Sequence, residues 1–304
     1  MAEAGLSLNG IPVDDTFAEA FDMAATGVVV TAETLHWARI AAQAMTGFGT
    51  SVIGCGVEAG LEHELDPEQT PDGRPGVRVL LFGFDAPGLQ GQLVKRVGQC
   101  VLTSPGSACY AGTHGHTRLK VGGALRVFGD GHQVAKRLDG RRFWRIPVMD
   151  GEFVCEHDTG VVEGAVGGGN LLFLGRDFPG TLRVAEAAAE AARGVPDVIL
   201  PFPGGIVRSG SKVGSRYEGM IASTNDAYCP TLKGRPGSAL APEVGAVLEI
   251  VIDGLSAAAV ADAMRAALAA ATAVGAAEGL VRVTAGNYGG QLGRHHFHLR
   301  NLLP

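Results

Sequence analysis

The stretch VLEIVI (247–252) is a run of apolar, β-branched residues interrupted by a single carboxylate. Such a composition favours a buried strand. Apolar residues then recur at the three- and four-residue spacing of an amphipathic helix: Val260, Met264, Leu268 and Ala271. LVRV (280–283) follows as a second short strand. The order strand–helix–strand predicts one packed βαβ element in this part of the chain.

The same order of elements occurs twice along the chain. In the first half, TAETLHWARIAAQAM (31–45) has helical spacing with Thr31 as its predicted cap, and VRVLLFGF (77–84) has the composition of a strand. In the second half, the helical segment TLRVAEAAAEAAR (181–193) precedes the strand at 247–252. We therefore predict an α+β fold of two duplicated ferredoxin-like lobes, each of split βαβ type.

The middle of the chain has a different pattern. Between residues 119 and 156, Asp-Gly pairs separate short β-rich runs such as LDGRRFWRIPV (138–148), which is typical of hairpin turns. We predict an inserted β-meander here, with the lobe boundary near Met149–Gly151. Residues 1–149 then form the amino-terminal lobe and residues 150–304 the carboxy-terminal lobe.

Composition limits the class of protein. The 304 residues are 46% hydrophobic and 18% charged with a net charge of −6, which indicates a folded globular chain. Without a basic run, we expect no nucleic-acid partner. The amino terminus lacks a signal-peptide pattern and no apolar run reaches membrane-spanning length, so we expect no membrane association. Five cysteines without CxxC spacing indicate reduced thiols and a cytoplasmic location.

Glu249 is the strongest candidate for a catalytic group. In a strand its side chain shares a face with Val247 and Val251, and apolar neighbours raise the pKa of a carboxyl group. A carboxyl that titrates near neutral pH suits general acid–base catalysis. The alternative is a strand-end glutamate that reaches solvent or pairs with a Lys or Arg.

The glycine-rich stretch PFPGGIVRSGSKVGS (201–215) is a candidate binding loop. Its glycines free backbone N–H groups to face a ligand, its serines supply hydroxyls, and one lysine supplies positive charge. The predicted substrate-binding residues in it are Pro203, Gly204, Gly205, Ser209, Lys212 and Ser215. The alternative is an ordinary irregular turn.

Two further loops carry polar side chains that suit an amide or a polar heterocycle. ASTNDAYCP (222–230) contributes Asn225, Asp226 and Tyr228, and the glycine-rich loop that begins with AGNYGG (285–290) contributes Asn287. The 222–230 segment is equally compatible with a hydrogen-bonded turn, and in the second loop we expect Asn287 and Tyr288 to face a cleft.

A metal site and a cysteine nucleophile are weaker candidates. The histidines His295, His296 and His298, with His114 and His116, have no acidic or cysteine ligand at matching spacing. Cys229 has no histidine in a recognisable partner motif. We therefore expect no metal.

Nine short segments, in order from about Asp14 to Leu302, together resemble the formylmethanofuran–tetrahydromethanopterin N-formyltransferase family. They are DDTFAEAFDM (14–23), TGFGTSVI (46–53), TPDGRPGV (70–77), GQCVLT (98–103), PFPGGIV (201–207), SKVGS (211–215), ASTNDAYCPT (222–231), EIVIDGL (249–255) and TAGNYGG (284–290). Each segment is short, but nine of them in register are specific.

The resemblance implies an acyltransferase that moves a formyl group between N5 of tetrahydromethanopterin and the amine of methanofuran or an analogue. It implies two ferredoxin-like lobes per subunit, dimers or tetramers with the active site in a cleft between subunits, no metal requirement, and Glu249 as the catalytic glutamate. The mildly acidic, Ala-, Arg- and Gly-rich composition resembles bacterial members from methylotrophs. Those members resemble one subunit of a formyltransferase/hydrolase complex that acts in the oxidation of formaldehyde to formate.

Two other functions remain open at this point. One is a non-catalytic scaffold or carrier-docking subunit of a formyl hydrolase complex, which would not need Glu249 or the glycine-rich loop. The other is a hydrolase acting on the formyl carrier, which would need a metal set or an activated nucleophile. For the transferase, the 201–215 loop would aim backbone N–H groups at the formyl oxygen as it becomes an oxyanion.

Overall fold

The computed structural model describes residues 5–304, so the first four residues of the predicted amino-terminal lobe lie outside it. The strands are β1 (Ser7–Leu8), β2 (Ile11–Pro12), β3 (Phe17–Thr31), β4 (Glu58–Leu65), β5 (Gly76–Gly83), β6 (Ala108–Ala111), β7 (Arg118–Lys120), β8 (Val134–Leu138), β9 (Arg141–Val148), β10 (Gly151–Glu156), β11 (Asp158–Gly175), β12 (Val198–Ile199), β13 (Ile206–Val207), β14 (Lys212–Val213), β15 (Ala222–Ser223), β16 (Ala246–Gly254), β17 (Leu280–Thr284) and β18 (His295–His298). The helices are α1 (Leu35–Thr46), α2 (Val52–Cys55), α3 (Ala86–Arg96), α4 (Gly122–Leu125), α5 (Phe178–Arg193) and α6 (Ala257–Gly275). This mixture confirms the predicted α+β class.

The chain divides into two compact units. The first unit contains the residues up to Asp22 together with Val166–Pro304, and the second contains Met23–Ala165. The strands β3 and β11 each contribute residues to both units. The predicted boundary near Met149–Gly151 falls inside the second unit, because β10 pairs with β6 and β9 and the start of β11 pairs with β7.

The first unit has β11 at the centre of its sheet. The part of β11 from Val166 to Gly175 pairs antiparallel with β16 and with β17, and β12 and β13 both pair with β16. β18 pairs with the start of β3. The helices α5 and α6 contribute to the hydrophobic core of this unit, and the Asp177 side chain caps α5 by accepting a hydrogen bond of 2.8 Å from the Gly180 amide. β16 is thus a central strand, paired on both sides.

Helix α6 is long and strongly apolar. Its 19 residues have a window of mean hydropathy 1.4, so by length and composition it could cross a membrane. Val260, Met264 and Leu268, which the sequence placed on one helical face, are fully buried in the core of the unit. Its exposed side carries an ion pair between Arg265 and Asp262 at 2.5 Å. α6 therefore has the amphipathic pattern of a core helix.

The second unit is built around the part of β3 that follows Asp22. This segment pairs antiparallel with β5 and β6, and β4 pairs with the other edge of β5. β8, β9 and β10 form an antiparallel meander in the region where Asp-Gly pairs predicted one, and β10 pairs parallel with β6. The β8–β9 turn uses Asp139 and Gly140 with positive φ values of 50° and 76°, as a two-residue hairpin turn requires.

The predicted cap of the first helix is wrong. α1 begins after Thr34, whose hydroxyl accepts a hydrogen bond of 3.4 Å from the Trp37 amide. Thr31 instead ends β3, and its hydroxyl donates to Asp72 at 2.8 Å. Thr31 is still part of a strand that pairs with β5 and β6, so the helix cap lies three residues later, at Thr34.

The packing of α6 predicts the effect of matched valine truncations on stability. Val260 is 0% exposed and Val274 is 36% exposed on the same helix. We expect Val260→Ala to lower the free energy of unfolding by about 2 kcal/mol, because two buried methyl groups and their packing are lost. Val274→Ala should cost less than about 0.5 kcal/mol. Urea unfolding followed by circular dichroism measures both, and equal losses would contradict this packing.

Candidate active site

Glu249 occupies the open face of a strand whose other face is buried. On β16 it lies opposite Leu172 of β11 on one side and Val207 of β13 on the other. Its neighbours Leu248 and Ile250 point into the core. The two-residue period of the strand therefore turns the carboxyl group away from the core, onto a half-buried surface beside Val247 and Val251.

A pocket of about 260 Å³ lies over this surface and is contained within the first unit. Leu172 and Val247 are apolar lining residues beside Glu249. Its lining consists of Leu172, Val207, Arg208, Ser209, Gly210, Asn225, Tyr228, Cys229, Pro230, Thr231, Val247, Leu248 and Glu249. Four of the predicted site residues thus line one pocket: Ser209, Asn225, Tyr228 and Glu249.

Burial raises the pKa of the Glu249 carboxyl group to about 7. The cause is the low polarity of its surroundings, which disfavours the charged form of the acid. The group can therefore hold or release a proton near neutral pH. This is the property required of a general acid–base residue, and it comes from the strand environment that the sequence predicted.

Residues 208–210 form one wall of the pocket. Within residues 5–304, the amide N–H groups of Ser209 and Gly210 have no hydrogen-bond acceptor. Gly210 has a φ of 56°, a conformation that other residues seldom adopt. The wall can therefore present two unpaired donors to a ligand oxygen, the arrangement that stabilises a developing oxyanion.

Several other predicted site residues do not line the pocket. Lys212 and Asp226 form an ion pair of 2.7 Å near its rim, with both side chains exposed. Ser215 lies at the far end of the β14–β15 hairpin, where its hydroxyl accepts from the Tyr217 amide at 3.1 Å. Asn287 donates to Thr16 and to the Phe17 carbonyl, both at 3.2 Å.

The remaining predicted binding residues form a turn in front of β13. Pro203–Gly205 is a tight turn in which Gly204 and Gly205 have φ values of 62° and 77°. The Gly205 amide donates to the Phe202 carbonyl at 2.7 Å. Backbone conformation therefore accounts for these two glycines, and their role in substrate binding stays a prediction.

Sequence reasoning did not select Arg208, and it named Tyr288 only as a residue beside Asn287 that would face a cleft. Arg208 lines the pocket as an exposed cation. Burial raises the pKa of Tyr288, and the Ser211 hydroxyl and the Glu249 carboxyl lie near enough to influence it. Tyr288 follows Asn287 in the glycine-rich loop, so an aromatic residue beside the selected asparagine was the available signal.

The histidines and Cys229, the weaker candidates for a metal site and a nucleophile, contact other groups of the protein. His295 pairs with Asp22 at 2.8 Å, and His296 contacts the Gly293 carbonyl at 3.2 Å. Cys229 lines the pocket, where its thiol donates to the Asn225 carbonyl at 3.2 Å. Among residues 5–304, no group of three or more His, Cys, Asp or Glu side chains is arranged to hold a metal ion.

Two family models match almost the full length of the chain. The model described as formylmethanofuran-tetrahydromethanopterin formyltransferase matches residues 6–148. The model described as the proximal lobe of the same enzyme, FTR, matches residues 151–302.

Individual proteins match over the same length. The chain is 69% identical to a subunit of the formyltransferase/hydrolase complex from Methylorubrum extorquens, with 98% of this chain and 97% of that protein covered. It is 60% identical to a formylmethanofuran–tetrahydromethanopterin formyltransferase from Methylococcus capsulatus, with 97% and 99% covered.

Solved structures show the same fold. The crystal structure of the Methylorubrum extorquens formyltransferase/hydrolase complex with methylofuran contains a chain that matches with a TM-score of 0.97 and 69% identity, covering 99% of both chains. The formyltransferase from Methanosarcina barkeri matches with a TM-score of 0.93 and 40% identity, covering 98% of this chain and 100% of that one.

The raised pKa of Glu249 predicts how stability changes with pH. Between about pH 4.5, the ordinary pKa of a glutamate, and about pH 7, the folded protein binds a proton that the unfolded chain has lost. We therefore expect wild type to lose up to about 3 kcal/mol of unfolding free energy, relative to Glu249→Gln, as pH rises through this window. Glu243→Gln, at an exposed site, should show the same change of unfolding free energy with pH as wild type. Denaturant unfolding at several pH values measures the difference, and parallel curves for Glu249→Gln and wild type would contradict the shift.

Proposed function

This chain belongs to the formylmethanofuran–tetrahydromethanopterin formyltransferase family and transfers a formyl group between these two carriers, and we propose that Glu249 moves the protons. The acceptor and donor atoms in this proposal are N5 of tetrahydromethanopterin and the amine of methanofuran or an analogue. The observation that supports the role of Glu249 in proton transfer is its half-buried carboxyl group in the pocket, which has a pKa of about 7.

The proposed reaction needs one proton to leave the attacking amine and one to reach the departing nitrogen. The amine attacks the formyl carbon, and a new C–N bond forms as the carbonyl oxygen becomes an oxyanion. Glu249 accepts the proton that the amine loses and returns it to the leaving nitrogen when the old C–N bond breaks. Because its pKa is near neutral, Glu249 can both accept and donate a proton at working pH.

We propose that the pocket wall stabilises the oxyanion and positions the carriers. The unpaired N–H groups of Ser209 and Gly210 are suitable donors for it, and removing one such donor typically costs about 3 kcal/mol. Asn225 and Tyr228 supply polar groups to the same pocket. The Lys212–Asp226 pair at the rim is a candidate contact for the polar tail of a carrier. Binding roles for Pro203–Gly205, Ser215 and Asn287 are predictions without a pocket contact.

We propose that the chain consists of two duplicated ferredoxin-like lobes. In the first unit the strand order is β17–β11–β16, followed by β12 and β13, and in the second it is β6–β3–β5–β4. Both orders, with their intervening helices, are those of a split βαβ arrangement. The ranges matched by the two family models support a division near Met149–Gly151.

We propose that the protein acts in the cytoplasm with other subunits of a formyltransferase/hydrolase complex, in the oxidation of formaldehyde to formate. The support is the name of the Methylorubrum relative and the complex in which its structure was solved. All five cysteines are free, consistent with a reducing compartment. A non-catalytic scaffold is not favoured, because the curated relatives are formyltransferases and the pocket keeps its carboxyl group.

We propose in addition that the chain forms a homodimer or homotetramer. Beside the pocket, the β14–β15 hairpin exposes Val213, Met220 and Ile221 with 59%, 51% and 68% of their surface in solvent. Apolar side chains clustered this way are typical of an interface.

Replacing Glu249 tests the proposed proton transfer. Glu249→Gln keeps the size of the side chain and removes its ability to exchange a proton, so we expect kcat to fall by about 10²–10⁴-fold while folding and carrier binding persist. The measurement is steady-state formyl transfer with both carriers, with Glu243→Gln as the control. Turnover within a few-fold of wild type would make Glu249 structural.

The mass in solution tests the oligomer. We expect light scattering at micromolar concentration to give at least twice the chain mass of 31.3 kDa. We also expect Ile221→Glu to shift the protein toward smaller species, because the charge would be buried in the interface. A wild-type monomer would contradict the proposal.

A further inference from the structure

The second unit has a cavity of its own, on the face of its sheet opposite to the main hydrophobic core of that unit. Ile146 of β9 is buried in this core together with side chains of α1 and α3. Because side chains alternate along a strand, Phe143 and Arg145 of β9 lie on the other face. A cavity of about 350 Å³ lies there, and all of its lining residues belong to the second unit. Its volume is within the range of small-molecule binding sites.

Strand register brings three cationic side chains to this cavity. Lys136 of β8 lies opposite Phe143 of β9, and Arg141 and Arg145 lie two residues to either side of Phe143. All three cations line the cavity, together with one acidic residue, Asp139. The β8–β9 hairpin carries five Lys and Arg residues and one Asp, in a chain whose net charge is −6. The hairpin is therefore a local concentration of positive charge, which attracts anions.

A buried carboxylate fixes the position of one of these cations. Glu156 of β10 is 5% exposed, and its oxygens accept hydrogen bonds from Arg141 Nε at 2.8 Å, from Arg141 Nη2 at 2.5 Å and from the Ala111 amide at 2.8 Å. The Arg141 guanidinium also lies over the Phe143 ring, 5.2 Å from its centroid. These contacts leave Arg141 Nη1 available to a ligand. A donor that is fixed before the ligand arrives lowers the entropic cost of binding.

The remaining lining residues supply further donors and an apolar surface. Arg145 donates through Nε to Glu152 at 2.6 Å, which leaves its two terminal amino groups for a ligand. The Lys136 side chain is exposed. Leu138 and Val154 line the same cavity as apolar groups. The cavity thus combines cationic donors with an apolar surface, as sites for amphipathic small molecules do.

We propose that this cavity binds a small organic anion, whose carboxylate or phosphate group contacts Arg141, Arg145 and Lys136 and whose apolar part packs on Leu138 and Val154. The parallel N–H donors of a guanidinium match the oxygen pair of a carboxylate or phosphate. The cavity volume limits the ligand to a small molecule. The inference does not depend on the proposed role of Glu249, because the pocket of Glu249 lies in the first unit.

Calorimetric titration of the full chain, in its native assembly and at low salt, tests the site. The probes are phenyl phosphate, benzoate, inorganic phosphate and benzamide, which is the neutral analogue of benzoate. We expect phenyl phosphate or benzoate to bind saturably and at least about 10-fold more tightly than benzamide, because charge-assisted hydrogen bonds need the anion. Added salt should weaken this binding. The tighter of the two aromatic anions identifies the head group, and weaker binding of inorganic phosphate than of phenyl phosphate shows the contribution of the apolar surface.

Matched variants locate the binding. Lys136→Gln and Arg145→Gln should each raise the dissociation constant of the tighter anion by about 10-fold. The controls Lys95→Gln and Arg39→Gln remove exposed cations outside the lining, and Arg39 is paired with a surface glutamate as Arg145 is. The controls should bind like wild type, and thermal melting verifies that all four variants fold. The inference is overturned if no anion binds saturably, if benzamide binds equally well, or if pocket and control variants are weakened alike.

Discussion

The burial of one carboxyl group on a central strand is the constraint on which the site depends. β16 is paired on both sides, so its backbone cannot shift to release Glu249 to water. Alternate residues of the strand fill the core, and this alternation fixes which face Glu249 occupies. The apolar surroundings raise the pKa of Glu249 to about 7, and the loops around the strand supply the polar groups. The central strand of the first unit therefore also carries the proposed catalytic group.

Local sequence patterns predicted the regular elements of the fold. The periodicity that predicted α5, α6 and β16 reflects burial of one face, which neighbouring residues alone determine. Long-range contacts explain what the patterns missed. Thr31 bonds to a carboxylate 41 residues away instead of capping a helix. Residues up to Asp22 join the first compact unit, where β18 pairs with β3 across most of the chain length.

The candidate site was predictable in its segments but not in its contacts. The glycine-rich loop, the 222–230 segment and Glu249 do meet at one pocket. Composition could not tell that Lys212 would pair with Asp226, or that the Asn287 amide would bond to the backbone of β3. The hydrogen bond from the Tyr288 amide to Glu19 joins residues 269 positions apart, and no local sequence pattern predicts it. Side-chain direction in loops depends on such distant partners.

The pH dependence of kcat for the wild-type enzyme, with both carriers saturating, tests the account most directly. If Glu249 exchanges the proton, the profile has a limb with an apparent pKa near 7, displaced by two to three units from that of an ordinary glutamate. The same limb is absent from the residual activity of Glu249→Gln. A wild-type profile that is flat from about pH 5.5 to 8.5, or an unchanged limb in the variant, would contradict the central role of the buried carboxyl group.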